Sequence, residues 1–117
     1  MTPEAYVGER RRGQLIVTRV PEGTRLTPER SLELANHSPS GFESGYCGSG
    51  PAQLALALLL DYTDDEDVAL AEYMAFKDEV VSRLECGGPK QRWGLTGHEI
   101  DAALRETVDE PVAPSVN

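Results

Sequence analysis

Residues 52–60 read AQLALALLL, a run in which Gln53 is the one polar side chain. Periodicity alone does not separate a buried helix from a buried strand in so short an apolar run. The flanks decide it. GSGP stands just before the run, so Ser49 or Gly50 is placed to cap a helix with Pro51 in its first turn. A helix over residues 51–62 is therefore predicted. Because it is apolar nearly all round, it has no face to give to water and must be enclosed on every side. It is far shorter than the roughly 20 residues that a membrane span needs, so the enclosing layer must come from the rest of the chain.

That chain has 117 residues, a common size for one domain. Hydrophobic residues make up 39% of it, and the 11 glycines bring the total near the usual globular share, enough for one core. The expected organisation is one α+β domain over residues 1–108, with DEPVAPSVN at residues 109–117 as a disordered tail. No apolar stretch with a cleavage site opens the chain, and two cysteines make no disulfide framework. These features predict a cytoplasmic protein with reduced thiols and no membrane contact.

The elements around the central helix follow from turn and cap signals. Residues 5–9 (AYVGE) and 14–20 (QLIVTRV) read as strands joined by RRRG, with Gly13 suited to positive φ. PEG at residues 21–23 is a second turn, and TRL after it a short third strand. Residues 27–38 fit either a helix opened by Thr27 and Pro28 or an extended segment. Residues 36–51 hold six glycines and prolines, too many for regular structure, together with Phe42 and Tyr46, which should fold over the start of the central helix. A second helix is expected from a cap at Thr63 or Asp64 to about Leu84, with Ala69, Tyr73, Phe76, Val80 and Leu84 as its buried stripe. Gly87, Gly88 and Pro89 stop it. A third helix opens on LTGHEI, where Thr96 and Glu99 form a capping box and Leu95 and Ile100 a hydrophobic staple. The sum is a small antiparallel sheet, built on an N-terminal hairpin, packed against three α-helices. Leu54, Leu58, Tyr73, Phe76, Val80 and Leu84 are the expected core.

Charge is uneven along this frame. The formal net charge is −9. Residues 1–30 nevertheless carry a net +2, all of its cations arginine, whereas residues 61–117 carry −9. An overall acidic surface disfavours nucleic acid. Arg10, Arg11 and Arg12 at the hairpin tip could still meet phosphate or an acidic partner. Asp64, Asp65, Glu66 and Asp67 lack the register of a calcium loop and read as a solvated, charged helix start; with Arg10, Arg11 and Arg12 they are the candidates for binding a partner.

Three chemistries bear on the remaining motifs. Gly48, Ser49, Gly50 and Gln53 sit at a helix N-terminus, where amides and the macrodipole favour an anion. No lysine follows Gly50 as a phosphate loop requires, no dinucleotide fingerprint surrounds it, and Pro51 removes an amide. Gly48 or Gly50 is instead expected to have positive φ or to touch another backbone. His37, Cys47, Cys86 and His98 are zinc-ligand types at spacings of no compact zinc module. Cys47 with His37 or His98 would be the nucleophile and base of a catalytic pair, yet no catalytic signature surrounds them. No metal, cofactor or catalytic residue is expected.

Tyr6, Gly8 and Arg10, in a Tyr-x-Gly-x-Arg start, and GSGPAQLA at residues 48–55 give the chain a family likeness. Over roughly residues 5–104 it resembles a small uncharacterised domain family met in prokaryotic and viral genomes. It departs from that family at Ser44 and Cys47, where members often carry Trp and Gly. The resemblance implies association with viruses or mobile elements, and so a regulator or a defence-related inhibitor.

The function expected first is a non-enzymatic interaction or regulatory protein that binds a host or defence protein through an acidic helical surface. The alternative is a small-ligand or nucleotide-binding domain using residues 48–53. A further alternative is a nucleic-acid regulator using the arginine-rich hairpin. Oligomeric state stays open.

Overall fold

The computed structural model describes residues 2–39, 41–85 and 92–109. Strands β1 (Ala5–Arg11) and β2 (Gln14–Val20) form the hairpin, in the register Arg11↔Gln14 to Ala5↔Val20. Its two-residue turn places Arg12 at φ 54° and Gly13 at φ 81°, the left-handed pair that a tight hairpin demands. After a turn in which Gly23 has φ 78°, β3 (Arg25–Leu26) returns along β2. The sheet gains a strand that sequence reading missed. β4 (Arg92–Thr96) pairs antiparallel with the other edge of β1, giving the order β3-β2-β1-β4. The fold is the expected α+β arrangement, with this sheet on one side and the helices on the other.

The helices are α1 (Glu29–Leu32), one turn only, α2 (Ser49–Thr63), α3 (Glu66–Glu79) and α4 (Gly97–Asp109). Every residue from 50 to 60 is buried, as the apolar run requires. Alternation sorts the sheet into two faces. Tyr6, Leu15, Val17, Leu26, Trp93 and Leu95 point inward and join α2, with Phe42, Ala69, Phe76, Val81 and Ile100, in one core. The outward set alternates with them and is half-buried or exposed. Among the described residues no helix is long and apolar enough to cross a membrane.

Several boundaries differ from expectation. Gly48, extended at φ −174°, is the N-cap of α2, so Ser49 and Gly50 lie inside the first turn rather than capping it. Neither Thr63 nor Asp64 caps α3. Thr63 belongs to α2 and its hydroxyl donates to the Leu59 carbonyl, while Asp64, at φ 55°, closes α2. Asp65 is left extended, and its carboxylate accepts from the amides of Asp67 and Val68. α3 stops at Glu79 and a 3₁₀ turn follows over Val81–Arg83, so Leu84 leaves the helical stripe. Leu54, Leu58 and Phe76 are buried as expected, but Tyr73, Val80 and Leu84 are only half-buried.

The capping box of α4 forms as read. The Thr96 amide donates to Glu99 Oε1 at 2.8 Å and the Glu99 amide to Thr96 Oγ1 at 3.2 Å. The Gly87–Pro89 stop and Cys86 lie outside the described residues. So does the proposed tail, except Asp109, which ends α4.

Candidate functional site

The glycine-rich loop is shaped by its neighbours in the fold. A Cβ at Gly50 would lie 2.7 Å from Glu43 Cβ and 3.2 Å from the Glu43 amide nitrogen. One at Gly48 would lie 2.7 Å from the Tyr46 ring. The expected backbone contact therefore occurs at Gly50. Positive φ occurs not at Gly48 but earlier in the loop, at Gly41 (149°) and Gly45 (87°). Phe42 is buried and bridges to Leu15 as an extra rung on β2. Tyr46 lies against Gly48 yet is 52% exposed, so it does not close over the helix start as expected.

Gln53, the polar exception in the apolar run, is fully buried and clamps the preceding loop to α2. Its Oε1 accepts from the amides of His37 (2.7 Å) and Ser38 (3.0 Å). Its Nε2 donates to Ser31 Oγ (2.8 Å) and to the Ala35 carbonyl (3.1 Å). A primary amide has two acceptor and two donor positions, and all of them are used here within the protein.

The hairpin arginines part company. Arg10 points inward and grips Glu43 with two hydrogen bonds, at 2.8 and 3.0 Å. Arg11 points outward and pairs with Glu9 at 3.2 Å. Arg12 is exposed at the turn. A deeper ion pair ties sheet to helix. Arg19 holds the Asp61 carboxylate through Nε and Nη2, and the Tyr6 hydroxyl donates to the same carboxylate at 2.8 Å. Burial first, then this carboxylate, pushes the Tyr6 hydroxyl well above the usual tyrosine range. One residue further along the same end of α2 the Tyr62 hydroxyl lies 2.9 Å from Asp101, and burial is the main cause of its raised pKa.

The thiol and imidazoles are not brought together by hydrogen bonds. Cys47, exposed, donates weakly to Asp78 at 3.6 Å, while His37 Nε2 is 2.7 Å from the Tyr73 hydroxyl and His98 is exposed on α4. Among the described residues no cluster of three or more His, Cys, Asp or Glu could hold a metal ion.

The acidic segment is divided as well. Asp64 pairs with Arg30 at 2.6 Å and Asp65 is the cap, while Glu66 and Asp67 face solvent. From Asp67 the outer face of α3 continues through Leu70, Met74 and Asp78, spaced three and four residues apart and turned away from the buried Ala69 and Phe76. Leu70 is 42% and Met74 47% exposed. The Cys47–Asp78 contact brings the loop of Tyr46 to the end of this stripe. Leu70, Met74 and Tyr46 are the large exposed apolar side chains among the described residues, and Asp67 and Asp78 border two of them. Sequence reading missed the apolar part of this face. The signal was present: Leu70 and Met74 fall outside the stripe of residues 69, 73, 76 and 80.

A groove of about 430 Å³ lies between β3 and the loop of Phe42, floored by Leu15, Val17, Leu26 and Phe42, with Arg25 on its wall.

Comparison with known proteins gives the chain its family. Residues 6–106 match the model of DUF6166, a family of unknown function, and the chain belongs to that family. No curated protein and no solved structure matches it.

Proposed function

We propose that this protein is a non-enzymatic interaction module that binds a basic partner protein through the outer face of α3 and the adjoining Tyr46 loop. The observation that carries the reading is the exposure of Leu70 and Met74 on the face of α3 turned away from the core, set among acids. Apolar side chains exposed together and rimmed by charge mark interaction surfaces more than scattered ones do. The acidic rim selects a basic partner and steers its approach. The resemblance seen in the sequence adds a host or defence protein as that partner.

The ligand-binding alternative draws less support, because the Gln53 amide is used up internally and Gly50 is buried beneath Glu43. The nucleic-acid alternative draws little from Arg10, which is committed to Glu43.

The test is capture from cells that encode the protein, comparing wild type with Leu70→Glu/Met74→Glu. Both sites are exposed, so the variant should fold. The expected result is a partner retained by wild type, released as salt rises, and absent from the double variant. A partner held equally by both proteins would overturn the reading.

A further inference from the structure

The sheet has a second face, turned away from every helix. In register across it stand Ala5, Val7 and Glu9 of β1, Ile16, Thr18 and Val20 of β2, Arg25 of β3, and Arg92, Gly94 and Thr96 of β4. Its centre, Ala5, Val7, Ile16 and Val20, is apolar and half-buried. Its charged rim is Glu9, Arg11, Arg25 and Arg92, a net positive patch on a chain of net −9. Arg11 is 69% exposed at its side chain, and Arg25 and Arg92 are exposed.

Gly94 is the informative residue. A glycine inside a strand weakens it. Gly8, its diagonal neighbour across the β1–β4 pair, has an internal reason to be glycine: a Cβ there would lie 2.1 Å from the Trp93 indole. Among the described residues Gly94 has no such reason. A Cβ there would meet nothing within 4 Å, and its φ lies outside the left-handed region. What a bare backbone at Gly94 gains is outside the molecule: room for a partner's side chain to reach the sheet.

The occupant that complements this face is on the same chain. The outer face of α3 offers Leu70 and Met74 as apolar knobs, with exposed Asp67, and Asp78, which also pairs with Lys77 at 3.3 Å, beside them to meet Arg11, Arg25 and Arg92. The two faces point in different directions, so neither can satisfy the other within one molecule. We infer that the protein self-associates head to tail, the outer sheet face of one copy receiving the outer α3 face of the next. This rests on the reading of α3 given above and names a second copy as a partner of that face. Such a contact joins unlike surfaces and so builds chains or rings rather than an isologous dimer.

Complementation tests it. At low salt, sedimentation equilibrium of wild type should show mass rising with concentration, and the rise should shrink with salt. Gly94→Val fills the bare site with a strand-favouring residue, and Leu70→Glu spoils the other face; each variant alone should stay monomeric. Mixed in equal amounts, they keep one intact copy of each face and should form a 1:1 dimer and nothing larger. A monomeric wild type at all concentrations, association that survives either variant, or a mixture that stays monomeric would overturn the inference. A synthetic basic amphipathic helix, titrated onto the protein, separates the two claims. If it binds wild type but not Leu70→Glu while wild type stays monomeric, self-association falls and the reading of α3 stands; if it fails to bind as well, both fall.

Discussion

Gly8→Ala is the sharpest perturbation of this fold, because one added carbon meets the chain's single tryptophan. The new Cβ would sit 2.1, 2.3 and 2.6 Å from Cε2, Cζ2 and Nε1 of Trp93, where carbon atoms pack at about 3.5–4.0 Å. The indole must withdraw by more than an ångström. It has little room to do so, being 8% exposed and anchored through Nε1 to Ser44 Oγ at 3.2 Å. If the strands part locally to make space, overpacking costs about 1–3 kcal/mol. If the indole is expelled, the loss approaches the roughly 3–5 kcal/mol of deleting a buried tryptophan. Against either stands a gain of about 0.4–1 kcal/mol from a stiffer unfolded chain. The net expectation is a loss of about 1–4 kcal/mol, at the upper end if the indole is expelled. Gly94→Ala is the matched control: the same atom on the same pair of strands meets open space and should be neutral or slightly stabilising. Urea unfolding followed by tryptophan fluorescence reads both quantities, since Trp93 is the single tryptophan and can be excited selectively over the four tyrosines. Gly8→Ala should redden the native spectrum and lower the midpoint, and Trp93→Leu in the same chain, followed by circular dichroism because it removes the fluorophore, should recover part of the loss. Equal stability of Gly8→Ala and Gly94→Ala, with an unshifted native spectrum, would refute the reasoning.

Three further outcomes follow from particular contacts. Gln53→Leu leaves the Ser31 hydroxyl, the Ala35 carbonyl and two amides without their partner and should cost about 2–4 kcal/mol in denaturant melts; a loss below about 1 kcal/mol would mean that water replaces the clamp. Thr96→Ala should lose about 1 kcal/mol through the capping box, and a double-mutant cycle with Glu99→Ala should show coupling rather than simple addition. The raised pKa of Tyr6 gives a pH dependence of definite sign. A group whose folded pKa lies above its unfolded value of 10.0 contributes fully below that value, and its contribution is lost as pH rises beyond it. Stability should therefore fall in the alkaline range above about pH 10, and Tyr6→Phe should flatten that fall while itself costing about 1 kcal/mol at neutral pH through the lost bond to Asp61; an alkaline limb unchanged in Tyr6→Phe would place the titration elsewhere.

What was legible in the sequence depended on how local the governing physics is. The Gly13 turn and the Thr96–Glu99 box are set by residues within four positions of one another, and each stands where the sequence put it; the hairpin forms as expected, but β1 runs on to Arg11, two residues past its expected end, because the turn takes only Arg12 and Gly13. The central helix was legible because a run apolar all round admits only enclosure. β4 was not legible, because WGL is too short to announce a strand and is made one by Tyr6 and Gly8 across the sheet. The cap of α3 was misplaced by one residue because the end of α2 claims Asp64 first. The same distinction governs the candidate surface. Leu70 and Met74 fall outside the buried stripe already in the sequence, but that they are left uncovered follows only from what α3 packs against. The glycines show it most clearly. Gly8, Gly50 and Gly94 are one letter in the sequence, yet Gly8 makes room for an indole, Gly50 lets Glu43 cross the helix start, and Gly94 answers to nothing among the described residues. Once the internal reasons have been assigned, the glycine left over points outward, which is why the open face of the sheet, and not the glycine-rich loop, is where a binding partner should be sought beside α3.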